Sequence, residues 1–256
     1  MASPIALRDI YFTYALGGIC TAAALAYAIR LATGAAAHSD RVERIGGTVL
    51  LGKGVMNWTY WATDPIVRAL VALHITANAL TWSSLVLGAG AGVALAGGWF
   101  GLACLLATFS TIGDILDGQI ARATRTGSDR GELLDAAVDR YTEYAFAAGL
   151  VIYFRSSVPL MLVTLAALLA CVMVSYASAK AEALQITAPR GLMRRHERAT
   201  YLIVGAGLTS LFGEHLATTW PDLPRATPEL IALVAVAVIG NLAAILRFVR
   251  ISRALP

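Results

Sequence analysis

A train of apolar stretches constrains the fold before anything else does, each close to the roughly 20 helical residues that cross a hydrocarbon core. They lie near residues 10–33, 76–97, 100–123, 131–153, 158–183, 198–213 and 227–249. Hydrophobic residues make up 58% of the 256 and charged residues only 14%, where a soluble domain carries about a quarter charged. The chain therefore reads as an all-α, polytopic membrane bundle with no room for a second, soluble domain.

The stretch 10–33 lacks a small-residue cleavage pattern after a short apolar core, and Arg8 is the only cation before it besides the amino terminus. It is expected to be a retained extra transmembrane helix rather than a signal peptide. Residues 57–74 mix Trp58, Tyr60 and Trp61 with Asp64 and Arg68, the composition of an amphipathic helix lying in the interface. The expected organisation is an N-terminal helix and linker over 1–56, then a membrane domain over 57–256.

The net charge of +4 does not indicate nucleic-acid binding, because the cations sit in alternate connections. Arg122, Arg125 and Arg130 occupy one; Lys180, Arg190, Arg194, Arg195 and Arg198 another; Arg247, Arg250 and Arg253 the tail. The turn 97–100 has none, 154–158 has Arg155 alone, and 214–226 sets Arg225 beside Glu214 and Asp222. With Arg41, Arg44 and Lys53, this asymmetry places the basic connections on the cytoplasmic side of a multi-pass cell-membrane protein. Cys20, Cys104 and Cys171 lie in apolar runs without metal-type spacing and read as packing residues. His38, His74, His196 and His215 do not group, and no dinucleotide fingerprint, P-loop or Ser-His-Asp pattern is present.

Into this apolar background residues 114–139 insert a concentrated set of acids. Asp114, Asp117, Gly118, Ala121 and Arg122 step by three and four along one helical stripe, and Gly131, Asp135 and Asp139 step by four along the next. A short break at Thr126-Gly127-Ser128 lets two antiparallel helices turn four carboxylates toward one another. Mutual repulsion and burial both disfavour four ionised carboxylates there. A hard divalent cation removes the conflict, and all-oxygen ligands suit Mg²⁺, Mn²⁺ or Ca²⁺ rather than zinc. Mg²⁺ usually leaves positions for substrate phosphates, so the expected ligand carries phosphate. Glu143 extends the Asp135/Asp139 stripe by one turn, either as a partner of the site or as an interface residue.

The run Asp114-x2-Asp117-Gly118-x2-Ala121-Arg122-x8-Gly131-x3-Asp135-x3-Asp139 resembles the signature of the CDP-alcohol phosphotransferase family at every defined position. The resemblance covers about residues 57–250 and leaves the first helix outside. It implies a six-helix membrane core, commonly homodimeric. It also implies Mg²⁺ or Mn²⁺ and an enzyme that displaces CMP from a CDP-linked lipid with an alcohol. By resemblance Asp114, Asp117, Asp135 and Asp139 hold metal, Asp139 is also the general base, Asp117 also contacts the CDP group, Gly118 admits the cytidine and Arg122 meets the pyrophosphate. His74-Ile75-Thr76-Ala77-Asn78-Ala79-Leu80-Thr81 is similar to the family's entry to its first core helix, with Ala77 where proline is usual. That similarity makes Asn78, Ala79, Leu80 and Thr81 nucleotide contacts, together with Ser128.

Ser175-Tyr176-Ala177-Ser178-Ala179-Lys180-Ala181-Glu182 and Arg194-Arg195-His196-Glu197-Arg198 resemble stretches of the members that use inositol phosphate and CDP-diacylglycerol. Lys180, Arg195 and Arg198 are accordingly expected to bind an anionic acceptor, against the alternative that these cations only fix topology. Ser178 stands where those relatives place a basic residue and His196 replaces a proline, so glycerol 3-phosphate, inositol and serine stay open as acceptors. Two other classes use acids in a membrane: an intramembrane prenyltransferase, which would not ordinarily show the Gly118, Ala121, Arg122, Gly131 constellation, and a cation-coupled transporter. No internal repeat supports the transporter, and the acids lie near one face rather than at the midplane.

Overall fold

Lipid offers the backbone no hydrogen-bond partner, so the apolar runs satisfy their N–H and C=O groups within their own segments as helices. The computed structural model describes residues 4–33, 53–186 and 191–255. Among them eight helices follow in order: α1 (Pro4–Ala32), α2 (Lys53–Ala72), α3 (Ala77–Ala96), α4 (Phe100–Ala123), α5 (Asp129–Tyr153), α6 (Val158–Ala183), α7 (Arg195–Thr219) and α8 (Thr227–Ala254). No strand occurs among the described residues, and the all-α expectation holds. Arg41, Arg44, Arg190 and His38 lie outside the described residues.

Seven spans were expected. Five helices are both long and apolar enough to cross a membrane: α1 from Arg8 onward, α3, α4, α6 and α8. Helices α5 and α7, at 25 residues each, are as long, but the site places Asp135, Asp139 and Glu143 on one and Arg195, Glu197 and Arg198 on the other. α2 is not among the crossing helices, as expected for an interfacial segment.

Two helices begin earlier than the apolar pattern alone predicts. Ser128 accepts the Gly131 N–H at 3.2 Å, starting α5 at Asp129 rather than 131. Glu197 accepts the Arg194 N–H at 3.0 Å, starting α7 at Arg195 rather than 198. Polar side chains that satisfy the orphan amides of a first turn make such starts stable.

α3 packs along both α4 and α5, α6 along α8, and α7 joins α8 to α4. Where α3 crosses α5, a Cβ on Gly149 would run into the Gly92 backbone, and one on Gly92 into the Ala145 carbonyl. Only glycines let these two backbones meet, the packing mode that small residues permit between membrane helices. Leu95, Phe100, Ala103, Leu150 and Val236 are fully buried around that crossing. The Asn241 amide ties α8 to α6 by donating to the Ala166 carbonyl at 2.9 Å. Cys104 and Cys171 are buried, as packing residues should be, whereas Cys20 is exposed on α1.

α1 touches this bundle along one seam. Asp9, only 1% exposed, accepts the N–H groups of Gly101 at 2.8 Å and Leu102 at 3.0 Å in the first turn of α4. At the other end of α1 the Tyr27 ring meets Trp61 of α2 at 5.3 Å. α2 is in turn fixed to α4, where the Gln119 amide donates to Thr63 Oγ1 at 2.8 Å and Val67 packs with Leu116 and Ile120.

Candidate active site

The C-terminal half of α4 and the N-terminal half of α5 face each other across the 124–128 connection, and the spacing of their acids decides what meets. Asp114, Asp135 and Asp139 each present a carboxylate oxygen, and these oxygens lie within 4.8 Å of one another. Asp135 Oδ1 is buried with no hydrogen-bond partner. Converging oxygen donors that include an unpartnered buried one fit a hard divalent cation such as Mg²⁺ or Mn²⁺. Asp117 stands outside that tight group. Its Oδ2 accepts the Thr81 hydroxyl at 2.6 Å, so this carboxylate is tied to the first turn of α3.

Beside the acids opens a cleft of about 1180 Å³. Asn78, Thr81, Asp117, Gly118, Arg122 and Ser128 line it together with Asp135, which brings six of the eight expected nucleotide contacts to one space. Ala79 and Leu80 do not line it. A helix turns residues 78 and 81 to one face and the two between them away. The Ala79 N–H donates to Thr76 Oγ1 at 3.3 Å, and Leu80 packs among Leu116 and Ile120. A Cβ on Gly118 would sit 3.1 Å from Arg122 Nη1, so glycine lets that guanidinium lie against its own helix. Ser128 serves twice, bordering the cleft and capping α5.

The three expected acceptor cations part company. Arg195 Nη1 is 2.8 Å from Asp114 Oδ2, and its Nη2 pairs with Asp139, so it bridges two of the three clustered acids. Arg198 is 1% exposed; it donates to the Met193 carbonyl at 2.7 Å, Glu143 Oε1 at 3.0 Å and Ser175 Oγ at 3.3 Å. These partners tie Arg198 to Glu143 of α5 and Ser175 of α6. Lys180 is exposed near the end of α6 and borders neither the cleft nor the inner void. That void, about 90 Å³, runs from Arg195 and Arg198 past Thr142 into the apolar interior.

The charge pattern assigned nothing to Arg140 and left Arg247 with the tail, yet both hold partners inside the bundle. Arg140 pairs with Glu143 and donates to Ser175 Oγ at 2.9 Å, which places Glu143 between Arg140 and Arg198 as a partner inside the bundle. Arg247 on α8 donates to Ser178 Oγ at 2.9 Å and the Leu192 carbonyl at 3.1 Å. The only signal for it was an arginine interrupting an apolar run. Ser178 thus receives a basic group from α8 at the position where the resembled relatives carry their own.

Comparison with known proteins agrees with this geometry. The sequence model of the CDP-alcohol phosphatidyltransferase family matches residues 74–239. A phosphatidylinositol phosphate synthase of Cutibacterium acnes is 31% identical over 196 residues, covering 73% of this chain and 94% of that protein. The enzyme of that name from Mycobacterium tuberculosis is 33% identical over 156 residues, 57% of this chain and 70% of that one. A crystal structure of the M. tuberculosis synthase with manganese and citrate superposes with a TM-score of 0.63 at 25% identity, over 74% of this chain and 88% of that one. Its CDP-DAG-bound form gives 0.62 at 25% identity, over 74% and 92%. The helical bundle, the signature in its cleft and these likenesses together identify a multi-pass membrane enzyme that belongs to the CDP-alcohol phosphatidyltransferase family.

Proposed function

We propose that this enzyme is a phosphatidylinositol phosphate synthase, which transfers the phosphatidyl group of CDP-diacylglycerol to a hydroxyl of inositol phosphate and releases CMP. The convergence of Asp114, Asp135 and Asp139 at the edge of the Asn78–Gly118–Arg122 cleft carries this reading. The names of the Cutibacterium and Mycobacterium relatives, and the manganese-bound and CDP-DAG-bound neighbours, support it.

In this reading Asn78, Thr81, Gly118, Arg122 and Ser128 receive the CDP group, with the Arg122 guanidinium gripping the pyrophosphate in a planar fork. Asp114, Asp117, Asp135 and Asp139 hold the divalent cation, which when bound offsets the charge of the pyrophosphate and of the departing CMP. Asp139 takes the proton of the acceptor hydroxyl. The hydroxyl oxygen bonds to the phosphorus carrying diacylglycerol, the bond from that phosphorus to the CMP oxygen breaks, and CMP leaves with the electron pair. Holding the two substrates in line is the protein's main contribution. Arg195 and Lys180 are assigned to the phosphate of the acceptor, with Arg198 positioning Glu143 behind them.

We place the protein in the cytoplasmic membrane with the site facing the cytoplasm. Arg122, Arg125, Arg130, Arg194 and Arg195 lie at the site's end of the bundle, while the connection at 97–99 has no cation and that at 154–157 has Arg155 alone. Excess Lys and Arg mark cytoplasmic ends. Residues 57–256 form the catalytic membrane domain, residues 1–56 add α1 and its linker, and the resemblance favours a homodimer.

Glycerol 3-phosphate is the second reading, favoured by the serine at position 178. The test is CMP release by purified enzyme given CDP-diacylglycerol, Mg²⁺ or Mn²⁺, and one of inositol phosphate, glycerol 3-phosphate, inositol or serine. Turnover with inositol phosphate, and little with the other three, is the expected result. Turnover with glycerol 3-phosphate alone would replace the acceptor and keep the chemistry.

A further inference from the structure

We propose that Arg195 is a built-in counter-ion of the acid cluster: a divalent cation entering the cluster displaces its guanidinium, which then becomes the anchor for the acceptor's phosphate. The acceptor site is therefore completed only once the metal site is filled. This inference rests on the function proposed above.

The bridge itself is the first observation. One guanidinium binds Asp114 at 2.8 Å and also Asp139, two of the three acids whose oxygens lie within 4.8 Å of one another. The third, Asp135, keeps a buried oxygen without a hydrogen-bond partner. A single positive charge spread over Asp114 and Asp139 leaves three carboxylates incompletely neutralised. A divalent cation bound by the same oxygens neutralises them better, and it repels the guanidinium. Metal and arginine are thus alternative occupants of one place.

The second observation is that Arg195 is rooted where it can move. It is the first residue of α7, its side chain is 28% exposed, and its ion pairs are to acids of the cluster. Arg198, one turn further on, has a side chain 2% exposed and is held by Met193, Glu143 and Ser175. Of these two arginines only Arg195 can exchange its partners without dismantling the bundle.

The third concerns distance. Asp139 must reach the acceptor hydroxyl to take its proton, so the acceptor's phosphate has to be anchored within one small molecule's length of Asp139. A guanidinium that pairs with Asp139 before metal arrives swings from a point already beside the reacting hydroxyl. It also keeps Asp139 paired while no metal is present.

The test measures metal binding rather than turnover. Mn²⁺ binding to full-length enzyme in detergent is followed by electron paramagnetic resonance, without either substrate, for the wild type, Arg195→Ala and Arg195→Lys. If the bridged state holds nine molecules in ten or more, its removal tightens the apparent Kd by about tenfold or more. Arg195→Lys tightens it less, since an ammonium can pair with either acid but not fork across both. Inorganic phosphate, the probe for the acceptor, binds the wild type only with Mn²⁺ present and Arg195→Ala in neither case. Unchanged or weaker Mn²⁺ binding in both variants, each checked for an intact melting transition, overturns the proposal. Phosphate binding to the wild type equally well without metal overturns it too. An enzyme that rejects inositol phosphate, yet shows tighter Mn²⁺ binding in the variants and metal-dependent phosphate binding, loses the acceptor assignment above and keeps the counter-ion.

Discussion

The Thr81 hydroxyl donates to Asp117 Oδ2 across 2.6 Å, joining the first turn of α3 to the metal-type motif on α4. Asp117 is 6% exposed, so this bond decides how one of the four aspartates is oriented. It also explains why Asp117 stands apart from the group formed by Asp114, Asp135 and Asp139. Of the four acids on the two stripes, three converge and the fourth faces the cleft under the control of α3.

Replacing Thr81 with valine keeps the shape and removes the donor. A buried carboxylate left short of a partner costs about 1–3 kcal/mol. Thr81→Val should raise the KM for CDP-diacylglycerol by roughly an order of magnitude and leave the KM for the acceptor nearly unchanged. Steady-state kinetics with each substrate varied in turn checks this, and equal effects on both would show that Asp117 does not serve the nucleotide side.

Asp139→Asn keeps the size of the side chain and removes the base. CMP release should fall by about 10²–10⁴-fold, the usual contribution of a positioned proton acceptor, while CDP-diacylglycerol still binds. Equilibrium binding of the lipid nucleotide beside a turnover assay separates the two effects. Retained turnover would move the base elsewhere.

Asp9 gives a prediction confined to stability. Its carboxylate caps α4 from a helix outside the family match, and loss of such a cap costs about 0.5–2 kcal/mol. Asp9→Ala should lower the melting temperature in detergent by a few degrees with kcat unchanged. A changed kcat at unchanged melting temperature would mean that α1 acts on the site and not on the bundle.

Glu143 lies between Arg140 and Arg198. Glu143→Leu leaves two arginines facing each other, one of them almost fully buried, and breaking a buried pair in this way costs about 3–5 kcal/mol. The expected readout is a large fall in melting temperature and in the yield of folded protein. A variant as stable as the wild type would show that the two cations find other partners without strain.

How much of this was legible beforehand follows from how local each signal is. Asp114, Asp117, Asp135 and Asp139 declare their stripes within 26 consecutive residues, because helical periodicity is a short-range rule. Their surroundings made the metal-type reading equally direct. The Asp9–Gly101 cap joins residues 92 apart and the Arg195–Asp114 pair residues 81 apart, and nothing local announces either. At Ala79 and Leu80 a linear motif marked four consecutive residues, and the helix turns the middle two away from the cleft. For Arg195 and Arg198 the pattern showed two cations near the site, but a basic run does not distinguish a ligand's anchor from a scaffold pair. Burial does, and burial depends on which helices surround the run.

Diffraction at the manganese edge, from crystals of the enzyme grown with Mn²⁺ and CDP-diacylglycerol or CMP, shows whether these acids hold a divalent cation beside a bound cytidine nucleotide. An anomalous peak is expected among the Asp114, Asp135 and Asp139 carboxylates, with the nucleotide between Asn78 and Arg122. Nucleotide in the cleft with no peak among those three side chains would rule out the metal site.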